Sequence, residues 1–301
     1  MYHQIAHNKR VSALVIVAFV VVWVVAGLLI GGLFGRSWGS AIGGAIVLTF
    51  FALLGILFTY YFGSGTVLAV SGAQPADPQQ YAQLHNIVEA LAIGAGLPKP
   101  AVYVIDDPSP NAFATGRDPQ HAAVTATSGL LQMMNREELE GVIAHEMSHV
   151  RDYDVRLLLI CSTLVGMAAL IASFAFRGAF TVRGRDSAQL ALVAIALGVV
   201  FSLIAWVVGP LMQLALSRER ESLADAAGVE LTRNPAGLLG ALRKLAANDQ
   251  PLVKYNHATA AMYIDNPLEH HEHWFNHLWD THPPIQERIA ALERISQVQQ
   301  T

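Results

Sequence analysis

Apolar and polar positions along this chain fall into two regimes. Four stretches, 11–33, 39–62, 157–176 and 188–216, are apolar almost without interruption. A helix needs about 20 such residues to cross a bilayer, so the pattern predicts about four transmembrane or membrane-embedded helices. The first stretch is too long for the core of a secretory signal, and no small-residue cleavage site follows it. A tight turn, Gly35-Arg36-Ser37-Trp38, joins it to the second. Gly209-Pro210 interrupts the fourth and predicts a kink there. Small residues recur within all four, as close helix packing in lipid allows. The third and fourth can also be read as core helices of a soluble domain.

Elsewhere the pattern is periodic. Leu84, Ile87, Val88 and Leu91 share one side of a helix predicted over 81–95. Segments 101–105, 111–115 and 122–127 read as strands, with turn chemistry at 106–110. Asn135 is a good helix N-cap, and Glu138 completes a capping-box pair. Leu139, Ile143, Met147 and Val150 then recur at helical spacing. Two further helices are expected around 238–247 and 285–295. The organisation that follows is two transmembrane helices in 1–62, then 63–156, which opens on a Gly/Pro-rich linker at 63–78. A membrane hairpin at 157–216 and a C-terminal part at 217–301 complete it.

Composition supports a membrane protein. Of 301 residues 53% are hydrophobic and only 14% charged, against about 25% charged in soluble domains. A net charge of −4 argues against a nucleic-acid partner. Cys161 is the only cysteine, so no intramolecular disulfide can form, and its apolar surroundings suit simple packing.

Chemistry concentrates at His145-Glu146-Met147-Ser148-His149. On a helix, residues four apart lie on one face, so both imidazoles can reach one metal ion. Glu146 lies about 100° round the helix, placed to act as a general base on water. This is the zinc-protease arrangement. Such zinc has a third protein ligand, and Glu221 is the candidate. Asp225, one turn later, can accept the second ring N–H of a ligand histidine and fix its tautomer. A surface helix stitched by pairs such as Arg218 with Glu221 would explain the charges, but not a Glu and an Asp sharing a face beside Ala224. His273 and His277 are also four apart in the His270–His277 run, yet that run lacks a fixed carboxylate partner.

His145–His149 with Glu221 and Asp225 resembles the gluzincin peptidases. The wording Ser217-Arg218-x-Arg220-Glu221-x-x-Ala224-Asp225, Asn111-Ala112-Phe113-Ala114-Thr115-Gly116 and Thr281-His282-Pro283-Pro284 narrows this. It resembles the M48 family of membrane metalloproteases, in its HtpX-like group, over nearly the whole chain. Ser222 departs from the pattern, where an aromatic residue is expected. The resemblance implies an α-helical membrane protein carrying an α+β gluzincin-type protease domain, with one zinc ion per chain. It makes His282 a donor to the oxyanion of the tetrahedral intermediate, with Arg288 helping to orient it. It makes Asn111, Ala112, Phe113 and Ala114 the strand that holds extended substrate, and implies quality control of damaged or misfolded membrane proteins. A prenyl-protein protease of the same superfamily would need more spans. A non-catalytic membrane scaffold or holdase would leave Glu146 dispensable.

The two halves of the metal set flank 157–216. Two crossings there return Glu221 to the side of His149. Lys9 and Arg10 precede the first span, while Arg36 alone lies in its turn. The positive-inside rule then puts the catalytic part in the cytoplasm of a multi-pass protein of the cell membrane. Arg177, Arg183 and Arg185 pull against export of the hairpin loop. His149 is close to the start of the third apolar stretch and Glu221 to the end of the fourth. The expected partners are therefore the bilayer itself and peptide or membrane-protein substrates at its surface. The sequence carries no sign of oligomeric state.

Overall fold

The structure is a computed structural model describing residues 2–181, 188, 191–203, 218–248, 263–264 and 285–299. Helix α1 (Tyr2–Gly35) and helix α2 (Trp38–Val70) form an antiparallel hairpin. Its turn is closed by Arg36 at φ 49° and by a Ser37–Ser40 capping box. Gly27 lets the two backbones touch, since a Cβ there would lie 2.5 Å from the Cα of Ala45. Most of the remaining surface of the hairpin is apolar and uncovered, with Leu14, Val21 and Leu29 exposed on α1 and Phe50, Leu54 and Phe58 on α2. That is the surface lipid tails would cover.

Helix α2 runs on to Val70, so the expected linker at 63–78 begins only after it. Glycines and prolines suggested a linker there. Instead Gly63 sits inside the helix, where a Cβ would press within 3.2 Å of Leu159. The linker also contributes a two-residue strand, β1 (Gln74–Pro75), that the pattern did not predict. Helix α3 (Ala82–Ala95) follows, then β2 (Ala101–Ile105), β3 (Ala112–Gly116) and β4 (Ala122–Thr127). The sheet order is β1-β2-β4-β3; only β2 and β4 are parallel. Among the described strands β3 therefore lies at the edge, and it packs against both α5 and α6.

After a short helix α4 (Ser128–Met133) come α5 (Arg136–Asp152) and α6 (Asp154–Thr181), separated only by Tyr153 in the left-handed conformation, φ 65°. Among the described residues three helices are long and apolar enough to cross a membrane, Ile5–Gly32, Trp38–Val70 and Asp154–Thr181. A shorter apolar helix, α7 (Ala191–Leu203), covers part of the fourth stretch, and the Gly209-Pro210 kink lies outside the described residues. Helices α8 (Arg218–Thr232), α9 (Pro235–Ala246) and α10 (Ile285–Gln299) are the last elements among the described residues.

Three apolar clusters hold these parts. The largest joins the sheet and α3 to α5, α9 and α10 through Val88, Val124, Ile143, Met147, Leu242 and Leu292. A second packs α1, α2, α6 and α7 around Phe19, Trp23, Leu164 and Phe201. A third, with Val67, Ile105, Phe113 and Leu159, welds the sheet to the membrane helices.

Candidate metal centre

Helix α5 starts where its sequence says it should. Asn135 accepts from the Glu138 backbone N–H at 2.9 Å, and Glu138 accepts from the Asn135 N–H at 2.8 Å. Everything from Gly141 to Val150 is then buried, ligand face included. The apolar stripe meets the core while α8 covers the histidines. Gly228 of α8 makes that approach close: a Cβ there would lie 3.1 Å from the His145 backbone nitrogen. The Ser148 hydroxyl donates to the His145 carbonyl of its own helix at 2.6 Å and lies 3.2 Å from the Ala224 carbonyl of α8.

His145, His149 and Glu221 converge at this crossing. His145 Nε2 and His149 Nε2 are 3.2 Å apart, and they lie 3.5 and 3.4 Å from the two Glu221 carboxylate oxygens. Donors about 2 Å from a common tetrahedral centre are about 3.3 Å from one another, so these residues fit a metal of zinc's size. No other group of histidine, cysteine and carboxylate side chains suited to a metal occurs among the described residues. Glu146, between the two histidines, is 3% exposed.

Each histidine is oriented from behind. His145 Nδ1 lies 2.9 Å from Asp225 and His149 Nδ1 lies 3.0 Å from Asp154. Carboxylates on both Nδ1 atoms favour the tautomer that leaves each Nε2 lone pair for a cation. Asp225 is held in turn by Arg288, whose Nε and Nη2 donate to its two oxygens at 3.0 and 2.7 Å. Burial alone would push the Asp225 carboxyl up, but Arg288 and His145 outweigh it and hold it down at about 2. Burial likewise pulls His149 down, and the carboxylates of Glu221, Asp154 and Glu146 reverse this and raise it to about 9. Arg288 is raised above its ordinary range because Asp225 and Glu221 overcome its own desolvation.

Asp154 was missed in the sequence, where it reads as one of several charges flanking the motif. The left-handed Tyr153 turns α6 back so that its first carboxylate meets His149. The available signal was a carboxylate opening an apolar helix, where an unpaired charge is costly. A second missed residue is Asn8 of α1, which is wholly buried. Its amide donates to Asp154 at 2.6 Å and to the Asp152 carbonyl at 2.8 Å, and accepts from Arg220 at 3.0 Å. Lys9, beside it, sits 4.3 Å above the Tyr153 ring.

Expected site residues fall as follows. The structure brings Glu146, Asp225 and Arg288 to the His145–His149–Glu221 group. It pairs Arg288 with Asp225; its expected partner His282 lies outside the described residues, as does the His270–His277 run. The strand expected at 111–115 is β3, beginning at Ala112, with Asn111 buried just before it. The Thr127 N–H donates to the Asn111 carbonyl, so by antiparallel alternation Phe113 and Thr115 face β4 while Ala112, Ala114 and Gly116 face the outer edge. At that edge the Ala112 carbonyl accepts from the Ile264 N–H at 2.9 Å, and the Tyr263 ring meets Phe113 at 4.9 Å.

Peptidase family M48 matches residues 78–296. The protease HtpX homolog of Lactobacillus helveticus is 45% identical over 98% of this chain and 100% of its own length. That of Caldanaerobacter subterraneus is 44% identical over 84% of this chain and 85% of its own. The crystal structure of S. mikatae Ste24p is similar at 18% identity and a TM-score of 0.49, over 88% of this chain and 60% of that one.

Proposed function

The chain belongs to peptidase family M48 and is a membrane-bound metalloprotease, and on that premise we propose a zinc-dependent endopeptidase acting on misfolded or damaged membrane proteins at the cytoplasmic membrane surface. The observation that carries the zinc assignment is the spacing of the His145, His149 and Glu221 donors, 3.2 to 3.5 Å. When bound, zinc supplies Lewis acidity toward the scissile carbonyl and toward water. The chain's own groups do the rest. Glu146 takes the proton of the attacking water and delivers it to the leaving amine, and no covalent acyl-enzyme forms. Asp225 and Asp154 keep the two imidazoles in position, and Arg288 keeps Asp225 charged in a buried site. His282 is proposed to stabilise the oxyanion.

The outer edge of β3 offers Ala114 as a pairing position for an extended substrate. Ala112 is already engaged by Ile264. An HtpX-like role in membrane quality control is supported by the relatives' names and by the welding of the protease part to the membrane helices. Asn8 ties the start of α1 to the α5–α6 joint, so Lys9 and Arg10 lie on the metal side of the membrane. That supports a cytoplasmic catalytic part.

Metal analysis and peptide turnover of two variants test the mechanism. Glu146→Gln is expected to keep its metal and lose about 10²–10⁴-fold in turnover. Glu221→Ala is expected to lose both metal and turnover. A Glu146→Gln protein with a near-normal rate would refute the role of the base, and unchanged metal content in Glu221→Ala would move the third ligand elsewhere.

A further inference from the structure

Away from the metal centre, two guanidinium groups converge on one aromatic ring. Arg117 follows directly on β3, and its guanidinium carbon lies 5.4 Å from the Tyr60 ring centroid and 5.2 Å from that of Tyr61. Arg156, in the first turn of α6, approaches Tyr60 to 5.6 Å. The two tyrosines stand edge to face, 5.1 Å apart. Counter-charge is scarce. Arg117 is 3.6 Å from Asp118, which is itself engaged by the His121 ring at 2.7 Å. Arg156 has no carboxylate or hydrogen-bond acceptor among the described residues, and its Nε is buried without a partner. The exposed part of the Arg156 guanidinium has no protein acceptor among the described residues, and two like charges beside one ring repel. An anion within reach of both guanidinium groups would offset that repulsion.

The place of the cluster identifies the anion. Tyr60 and Tyr61 close the apolar part of α2, where interfacial aromatics belong. Arg156 stands where α6 enters its own apolar span. Phe58, Tyr61 and Phe62 are exposed on the same stretch of α2, giving acyl chains a surface directly below the charges. A phosphodiester offers one negative charge and oxygens that match a guanidinium fork, and basic pockets between membrane helices at this level suit anionic headgroups. We propose that Arg117, Arg156, Tyr60 and Tyr61 form a binding site for the headgroup phosphate of an anionic phospholipid.

The test uses the full-length protein in detergent, with lipid adducts counted by native mass spectrometry on adding phosphatidylglycerol or phosphatidylcholine. Wild type is expected to prefer phosphatidylglycerol. Replacing both arginines by Gln should weaken that preference about 25-fold, roughly five-fold for each charge. Arg→Lys at both positions should restore part of it, since charge returns without the fork. Metal content and melting temperature check that the variants fold. Should the double variant fail to fold, Arg117→Gln alone, on a surface turn, carries the same comparison. Equal binding of the two lipids by wild type would overturn the proposal, as would an unchanged preference in the Gln variants. It would also fall if the Gln variants kept the lipid preference but lost, in lipid-free detergent, cleavage of peptides acidic on the amino side of the scissile bond; the cluster would then read substrate.

Discussion

Helices α2 and α5 are inverted relative to expectation for a protein in water. α2 is apolar all round, yet only 11% of its most apolar stretch is buried inside the protein. α5 carries two histidines and several acids, yet every residue from Gly141 to Val150 is buried. Their solvents explain the difference. For α2 the surroundings are lipid tails, against which an exposed leucine loses nothing. For α5 the surroundings are other side chains, and its two buried histidines are tolerable inside because each is matched by a carboxylate, Asp225 for His145 and Asp154 for His149, with Arg288 in turn on Asp225. In one region stability depends on the medium, in the other on the pairing of buried charged groups. Such pairing also holds side chains where chemistry needs them.

Removing one member of those pairs should therefore cost most. Arg288→Met leaves Asp225 buried without its cation, with an expected loss of about 3–5 kcal/mol in unfolding free energy. Thermal or urea unfolding of the detergent-solubilised protein measures it. The double variant Arg288→Met/Asp225→Asn should recover part of the loss, and a simple sum of the two single effects would show that the groups do not act as a unit. Next in size is a packing contrast between the helices. Met147→Ala, on the buried stripe of α5, should cost about 2–5 kcal/mol. Leu57→Ala, on the exposed face of α2, should cost no more than about 0.5 kcal/mol. Similar values at the two positions would mean that the two helices are stabilised in the same way.

The smallest effect is a pH dependence. The Asp225 carboxyl is held at about 2 in the folded protein against 3.8 otherwise. A depressed carboxylate contributes stability that is present above its unfolded value and lost as pH falls through the folded one. Metal-free protein should thus weaken by about 2 kcal/mol between pH 4 and pH 2, and an Asp225→Asn variant should lack that component. Unfolding midpoints across that window decide it.

Local chemistry was legible in the sequence, and long-range pairing was not. The α5 cap, the strands at Ala101–Ile105 and Ala122–Thr127 and the His145/His149 spacing all follow from neighbours within a few residues. β3 begins one residue later than expected because Asn111 uses its side chain to close the turn, accepting from the Ala112 N–H. Gly63 looked like a linker residue because nothing nearby announces that Leu159 and Thr163 need its empty space. Asn8 could not be read at all. Its partners Asp152 and Asp154 are far along the chain, and a buried asparagine beside Lys9 and Arg10 looks like part of a charged cap.

The Asn8 contact also bears on when the site comes into being. A ribosome delivers the chain from one end, so Asn8 is made long before Arg288. Both reach carboxylates that steady the ligand histidines. A nascent chain halfway through synthesis holds the His145–His149 motif without Glu221, Asp225 or Arg288. A chain whose first helix is misplaced holds them without Asn8. The geometry is whole only when segments made early and late have come to the same place, so the order of synthesis itself sets when the site can exist.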